Sequence, residues 1–417
     1  MWFPGDAPGD PDRSPHTQAE RTPSPREAAI PQGAAPMNRK APSMPTSYGF
    51  VSTHPPTACG LATFNSALSA ALCPDGMPGG IVRVTAAGEP GTADPKVVHT
   101  WSADDNDGWQ LAAKALNHFD VAVVQHEYGI YPGADGHDVV PMLHQLTVPG
   151  IVVLHTVLAV PTARQKSVLE QVARAADAVV VMTATARDRL AAGYDVDPAK
   201  VTVIPHGAHG HATAPADKGP RPHLLTWGLL GPGKGIEWAV RALARLRNLP
   251  QRPVYTIAGK THPRVLEHQG EQYRDGLVEL TEVLGIAESV RFDPLYRDDA
   301  SLGRLIRSAD VVLLPYDSRE QVTSGVLIEA VAAGVPVVAT RFPHAVELLT
   351  DGPGILVPHG DAPAMADAIR KILTSPDAAG LGGTPSPAML WPAVADRYAA
   401  LAQQLLAGDR ALTAAAA

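Results

Sequence analysis

Short runs of β-branched residues alternate with Ala-, Leu- and Arg-rich stretches along most of this chain, and the alternation happens twice. In the first round the strand-like runs are Tyr48–Thr53, Ile81–Thr85, Val97–Trp101, Val121–Gln125, Gly150–His155, Ala178–Met182 and Val201–Ile204. Helical patterns are predicted near 60–72, 108–118, 138–146, 163–175 and 184–192. "PHGAHGHATAPADKGPRP" then breaks the rhythm with Gly, Pro and small residues. The rhythm resumes with strands predicted at 223–227, 253–258, 289–293, 310–314, 335–339 and 355–357. Helices are predicted near 234–247, 264–284, 299–308, 324–334, 344–349 and 362–374. Strands alternating with helices make parallel sheets, because each parallel step needs a crossover. At 417 residues the chain is also too long for one ordinary core.

The pattern therefore predicts an α/β protein of two Rossmann-like, doubly wound domains that face each other across a cleft beyond the carboxyl ends of their strands. The first domain is expected over 46–207, a linker over 208–221 and the second domain over 222–388. A final helix, "WPAVADRYAALAQQLLA", falls within 389–408, with Pro392 tolerated in its first turn. Residues 1–45 are rich in Pro, Gly, Ala and charge and have little to bury, so disorder is expected there and in the tail 409–417.

Composition narrows the function classes. The formal charge of −8 argues against nucleic acid as a partner. The only cysteines are Cys59 and Cys73, too few for a disulfide scaffold and in keeping with a reducing compartment. No apolar run reaches the ~18 residues of a membrane span. The start, "MWFPGDAPGDPDRSPH", lacks the basic-then-apolar order of a signal peptide. The expectation is a cytoplasmic enzyme or binding protein.

Two strand-to-helix turns in the second domain carry the chemistry. In "LLTWGLLGPGKGIEWAVRAL" a strand ends at Trp227. Gly228, Gly231, Gly233 and Gly235 then surround Lys234 before a helix begins. Such a turn can bring backbone amides and one positive charge to a bulky anion. It is not a Walker loop, and a glycine-rich turn with a solvated lysine reads equally well from this motif alone. The second turn follows "DVVLLPY" and opens "EQVTSGVLIEAVAAGVPVV" at Thr323, Ser324 and Gly325. That helix is apolar or small on nearly every face except at Glu329, and a buried carboxylate is costly unless paired. Its free amides suit a phosphate. Glu329 could accept ribose hydroxyls, or it could be a structural acid paired with an arginine or with backbone amides.

Together these turns resemble the donor half of the retaining group 1 glycosyltransferases, which have the GT-B fold, and in particular a divergent bacterial mannosyltransferase-like branch. The similarity runs from "STHPPTACGLATF" to the final helix and includes "AAGVPVVATRFPHAVELL" and "GILVPHGDAPAMADAI". The resemblance implies a donor site for a nucleotide diphospho-sugar in the second domain and an acceptor side in the first. It also implies a final helix that crosses back to the first domain. Lys234 and Glu329 would serve donor phosphates and ribose, and His155 would point into the cleft near the donor sugar. Gly228, Leu229, Gly233, Gly259, Lys260, Thr261, Pro294, Gln321, Thr323, Ser324 and Gly325 would line the donor. Gly60, His126 and Glu127 would lie on the acceptor side, although a loop-anchoring role fits His126 and Glu127 as well.

No metal or other cofactor is expected. His206, His209 and His211 in the linker read as structural or incidental, and Asp105 and Asp107 read as caps for the helix near Gly108. Two positions depart from the family pattern. Leu229 stands where many relatives have Arg. Gln321, with Glu320 beside it, stands where an E-x7-E motif ending at Glu329 has its first acid. The implied activity is transfer of a hexose, mannose among such relatives, to a hydroxyl acceptor with retention. The acceptor could be a glycan, a lipid or a small molecule. A non-catalytic nucleotide-sugar or glycan binder stays open, as does a sugar-nucleotide epimerase or phosphorylase.

Overall fold

The computed structural model describes residues 45–210, 218–375 and 386–416, with side chains through 408. Residues 1–44 of the expected disordered extension, and His211 with the rest of the linker through 217, lie outside the described residues.

Strands β1 (Tyr48–Ser52), β2 (Gly79–Thr85), β3 (Val97–Ser102), β4 (Val121–His126), β5 (Gly150–Leu154), β6 (Ala178–Val181) and β7 (Val201–Val203) form one sheet. Its order is β3-β2-β1-β4-β5-β6-β7. A second sheet joins β8 (His223–Trp227), β9 (Val254–Ala258), β10 (Val290–Asp293), β11 (Val311–Leu314), β12 (Val337–Thr340) and β13 (Gly354–Val357) in the order β10-β9-β8-β11-β12-β13. Every strand pair is parallel, as the alternation predicts. The inner strands β1, β4, β5 and β9 are buried along their whole length, because helices cover both faces of a parallel sheet.

The first sheet is wrapped by α1 (Gly60–Leu72), α2 (Gly108–Leu116), α3 (Val139–His144), α4 (Ala163–Ala175) and α5 (Ala184–Gly193). The second is wrapped by α6 (Ile236–Ala244), α7 (Pro263–Gln269), α8 (Gln272–Val283), α9 (Asp299–Ser308), α10 (Gly325–Ala332), α11 (Pro343–Leu349) and α12 (Ala362–Thr374). A last helix, α13, spans Trp391–Ala416. The starts follow capping chemistry: Thr162 and Gln165 form a reciprocal capping box for α4, and Asp298, Ser324 and Asp361 cap α9, α10 and α12.

Some local expectations are corrected. The predicted helix 264–284 is two helices, broken at Gly270, whose φ of +60° leaves the helical region. The expected disordered tail is helical up to Ala416, as its alanines favour. Asp107 makes no side-chain cap bond to α2, and Asp105 instead accepts the Ser102 amide at 3.2 Å.

Strand order reverses between β1 and β4 in one sheet and between β8 and β11 in the other. Each reversal opens a crevice at the carboxyl ends of the strands. The loops that leave β8 and β11 carry the Lys234 turn and the Glu329 helix, so topology alone brings those two motifs side by side. Helix α13 packs Trp391, Val394, Tyr398 and Ala402 into the core of the first half beside Tyr48, Phe50 and Phe64. Val322, ahead of α10, is buried in the other core of that first half. Such crossings make Pro45–Ala417 one compact unit. No helix among the described residues is long and apolar enough to cross a membrane.

Candidate functional site

The glycine turns after β8 and β9 are built backbone on backbone. Gly228 donates to the Ala258 carbonyl at 3.0 Å, and Gly259 donates to the Asp293 carbonyl at 2.7 Å. Gly259 has φ +133°, and a Cβ there would sit 1.9 Å from the Gly228 oxygen, so no side chain is possible. Leu230 donates to the Lys260 carbonyl and receives the His262 amide, each at 2.8 Å. Thr261 is buried with its hydroxyl on Glu271, whereas Lys260 and Pro294 are exposed and Leu229 is half-buried.

The turn that holds Lys234 rests on the loop after β11. Gly233 accepts the Asp317 amide at 3.0 Å, and a Cβ on Gly235 would meet the Pro315 carbonyl at 1.9 Å. The Lys234 ammonium lies 4.6 Å from the centroid of the Tyr316 ring, a cation–π placement that steers the charge with no acid paired to it among the described residues.

The start of α10 differs from expectation in one respect. The Ser324 hydroxyl caps the Leu327 amide. The Ser324 amide, however, donates to His344 Nδ1 at 2.8 Å, so it is not available to a phosphate. Burial pushes His344 down to about 4, which keeps the ring neutral and able to accept that bond. Gly325 is therefore the first residue of the turn that can offer its amide. A Cβ at Gly325 would lie 2.9 Å from His206 Nε2, so the ring of His206 roofs this turn. His206 donates Nδ1–H to the Gly207 carbonyl at 2.6 Å, and Phe64 and Trp391 pack against its ring.

The acidic residues part company. Glu320 turns to the first half: its carboxylate accepts the Ala159 amide at 2.8 Å and Arg189 at 3.0 Å. Gln321 stays at the helix start and donates its amide to the Thr323 carbonyl at 3.1 Å. Thr323 Oγ1 is buried with no partner among the described residues. Glu329 Oε1 accepts both the His209 amide at 3.1 Å and His209 Nδ1 at 2.8 Å, while His209 Nε2 lies 3.3 Å from Asp299. The bond to Glu329 outweighs burial and raises the His209 pKa above the usual value. His209, read from sequence as incidental, is thus the partner of the most unusual carboxylate in the chain. Its sequence separation of 120 residues hid that pairing. No trio of His, Cys, Asp or Glu among the described residues is arranged to hold a metal ion.

In the first half, His155 follows β5 and is half-buried against the edge of Phe64, ring centroids 4.7 Å apart. Burial, with His206 and His126 nearby, holds its pKa down at about 3, so the ring is neutral at any ordinary pH. His126 is fully buried, which does not fit direct contact with an acceptor, and Glu127 closes its own turn by accepting the Gly129 amide at 2.8 Å. For Glu127 the loop-anchoring reading is the one this geometry supports. Gly60 begins α1 exposed, with no atom near the position of a Cβ. Sequence reading also missed a pocket of about 380 Å³ lined by Gly133, His137, Asp138, Arg164, Ser167 and Gln171, between the turn after β4 and the start of α4.

The halves are clamped across the cleft. Arg264 donates to the Gly129 carbonyl at 2.6 Å, and Thr63 and Tyr296 hydroxyls meet at 3.0 Å. Glu347 of α11 takes the amides of Ala184 and Thr185 at 2.8 and 2.9 Å and the Thr185 hydroxyl at 2.7 Å, capping α5 from the opposite half. Burial pushes this carboxyl up, but those bonds outweigh it and leave it below its usual 4.5. A depressed acid contributes stability above its unfolded pKa and loses it as pH falls through the folded one. Glu347→Gln should therefore destabilise by about 0.5–1 kcal/mol at pH 7, allowing for solvent at this exposed side chain. Urea unfolding at pH 7 and pH 3.5 checks this. The difference between variant and parent should shrink at the lower pH, and a constant difference would rule out a charge contribution.

Two parallel, doubly wound sheets, with the Lys234 turn and the start of α10 at the switch point of the second, give the GT-B architecture. Residues 221–375 match the family model "Glycosyl transferases group 1", and residues 82–209 match "Glycosyltransferase Family 4". Both halves of the fold thus carry a match to a glycosyltransferase family model. A D-inositol 3-phosphate glycosyltransferase from Actinosynnema mirum is 33% identical over 222 residues, covering 50% of this chain and 51% of the relative. A glycogen synthase from Mycobacterium tuberculosis is 29% identical over 210 residues, 49% of this chain and 48% of the relative. The chain thus spans about half the length of the curated relatives it matches. Among solved structures, Anabaena HepE in complex with UDP and glucose superposes with a TM-score of 0.69 at 16% identity, covering 86% of this chain and all of that one. Sucrose-phosphate synthase from Thermosynechococcus elongatus gives 0.67 at 21% identity, covering 87% of this chain and all of that one.

Proposed function

We propose that the protein moves a hexose from a nucleotide diphospho-sugar to a hydroxyl acceptor with retention, and that it needs no metal to do so. The observation that carries this reading is the packing of the Lys234 turn on the loop that runs from β11 toward α10, which sets one ammonium at the switch point of the second sheet. In the reaction the bond between the anomeric carbon and the diphosphate oxygen breaks and an oxocarbenium-like carbon forms, as in glycoside hydrolysis. Lys234 and the Gly325 amide meet the charge growing on the leaving diphosphate. The acceptor oxygen bonds to the same face, and its proton passes to the departing phosphate oxygen. His155 accepts a hydroxyl of the donor sugar. Glu329, already oriented by His209, takes the ribose hydroxyls. The acceptor lies on the first half, with the pocket beside Arg164 and Ser167 as one place to hold it.

The test is release of nucleoside diphosphate from a donor panel, with and without acceptors and with a chelator present. GDP-mannose belongs in the panel because of the mannosyltransferase-like resemblance. UDP-glucose belongs there because the Anabaena neighbour carries UDP and glucose. Glu329→Gln should weaken nucleotide binding about tenfold, read by calorimetry; unchanged affinity would remove the ribose role.

A non-catalytic binder is favoured by one observation. Gln321 is turned to the Thr323 carbonyl and Glu320 to Arg189, so neither is presented as the first acid of the family pair. Donor binding with no diphosphate release from any donor would establish that reading. Consumption of donor without an acceptor, or only with phosphate, would indicate an epimerase or a phosphorylase.

A further inference from the structure

Gln125 is the penultimate residue of β4, in a place that sheet economy would give to valine. Val121 and Val123, the preceding residues on the same face, are buried core residues, and Gln125 is itself 0% exposed. Its Oε1 lies 2.8 Å from His155 Nε2, while its Nε2 has no partner among the described residues. A buried orphan donor is costly, so the amide is kept for something other than packing. The surroundings are equally unusual for a core. Ser52, one residue beyond the Val51–Val124 pair of β1 and β4, and Asn65 on α1 are also buried with side-chain atoms unpartnered among the described residues. Phe64, next to Asn65, closes on the His155 ring from the same helix.

We propose that Gln125 is a positioning residue that sets the tautomer of His155: its carbonyl oxygen accepts Nε2–H, which leaves Nδ1 as a bare acceptor. The inference rests in part on the reading of His155 as a donor-sugar contact. A ring that titrated in the working range would lose that acceptor on protonation. The low pKa of His155 removes this hazard but does not choose between the two neutral forms. The choice falls to whichever group holds the other nitrogen, and here that group is Gln125. The backbone assists, since His155 N donates to the His126 carbonyl at 3.0 Å and so fixes where the ring starts.

The tautomer can be read directly by long-range ¹⁵N–¹H NMR of histidine-labelled full-length protein, with the His155 signals assigned by their loss in His155→Gln. The parent should show Nε2 protonated and Nδ1 bare across pH 6–8. Gln125→Met, similar in length but without an acceptor, should shift both nitrogens toward a mixture of tautomers. It should also lower kcat about ten- to a hundredfold while donor affinity stays within about twofold. Nδ1–H in the parent, or an unchanged tautomer in Gln125→Met, would overturn the proposal. The parent measurement decides it even where the variant fails to fold. A protein that shows the expected tautomer yet releases no diphosphate from any donor would refute the transferase reading and leave Gln125's role standing.

Discussion

Lys234→Ala should lower kcat/KM for sugar transfer by roughly 30- to 1,000-fold, or about 2–4 kcal/mol of transition-state stabilisation. The size of the effect follows from the charge this turn carries. Leu229 is uncharged, so Lys234 is the one cation between Gly228 and Gly235. Its ammonium is steered by the Tyr316 ring, and among the described residues its charge is not spent on an ion pair. The fold should survive the change, because Gly233 and Gly235 hold the turn through backbone contacts with Asp317 and Pro315 that the lysine side chain does not make. Steady-state kinetics beside a melting curve checks both halves of the expectation. Lys234→Arg should recover part of the rate. Near-normal turnover by Lys234→Ala, at unchanged stability, would remove the site from the mechanism.

The largest expected loss of stability is at Arg83. This side chain is 0% exposed in the middle of β2 and is held by four groups. Nε donates to the His54 carbonyl at 3.2 Å and Nη1 to the Pro90 carbonyl at 2.8 Å. Nη2 donates to Thr57 Oγ1 at 3.0 Å and to Glu89 at 2.7 Å. Arg83→Met keeps the volume but leaves Glu89, still bonded to Thr57 and Ala86, without its cation and strands the His54 and Pro90 carbonyls. Removing one member of such a pair costs about 3–5 kcal/mol. In the first half this should lower the melting temperature on the order of 10 °C. Calorimetry measures it, and a shift below about 3 °C would mean that the network relaxes into solvent. Because His54 and Thr57 lead into α1, the same variant should loosen the Gly60 turn at the cleft edge.

Nearly all the strands and most helices were legible in the sequence, since parallel βα units impose two periodicities that alternate sharply. The helices 60–72, 163–175, 299–308 and 362–374 fall where their periodicity and caps place them. The break at Gly270 was not legible, because one glycine in a helical pattern costs too little to mark an end by itself. Within the site, the two anion-type turns could be named from local motifs, but their contacts could not. Gln321 and Glu320 are adjacent in sequence, yet one bonds a carbonyl two residues on and the other an arginine 131 residues back.

By itself, the sequence determined the class of fold and the place of the glycines and the lysine in the turn after β8. Those follow from short-range pattern, where neighbours in the chain are neighbours in space. Only the tertiary structure decided which groups are already spent. It gave Glu329 to His209, the Ser324 amide to His344, Glu347 to the start of α5 and His155 to Gln125. Hydrogen-bond saturation is a property of distance in space, and these partners are 120, 20, 163 and 30 residues apart along the chain.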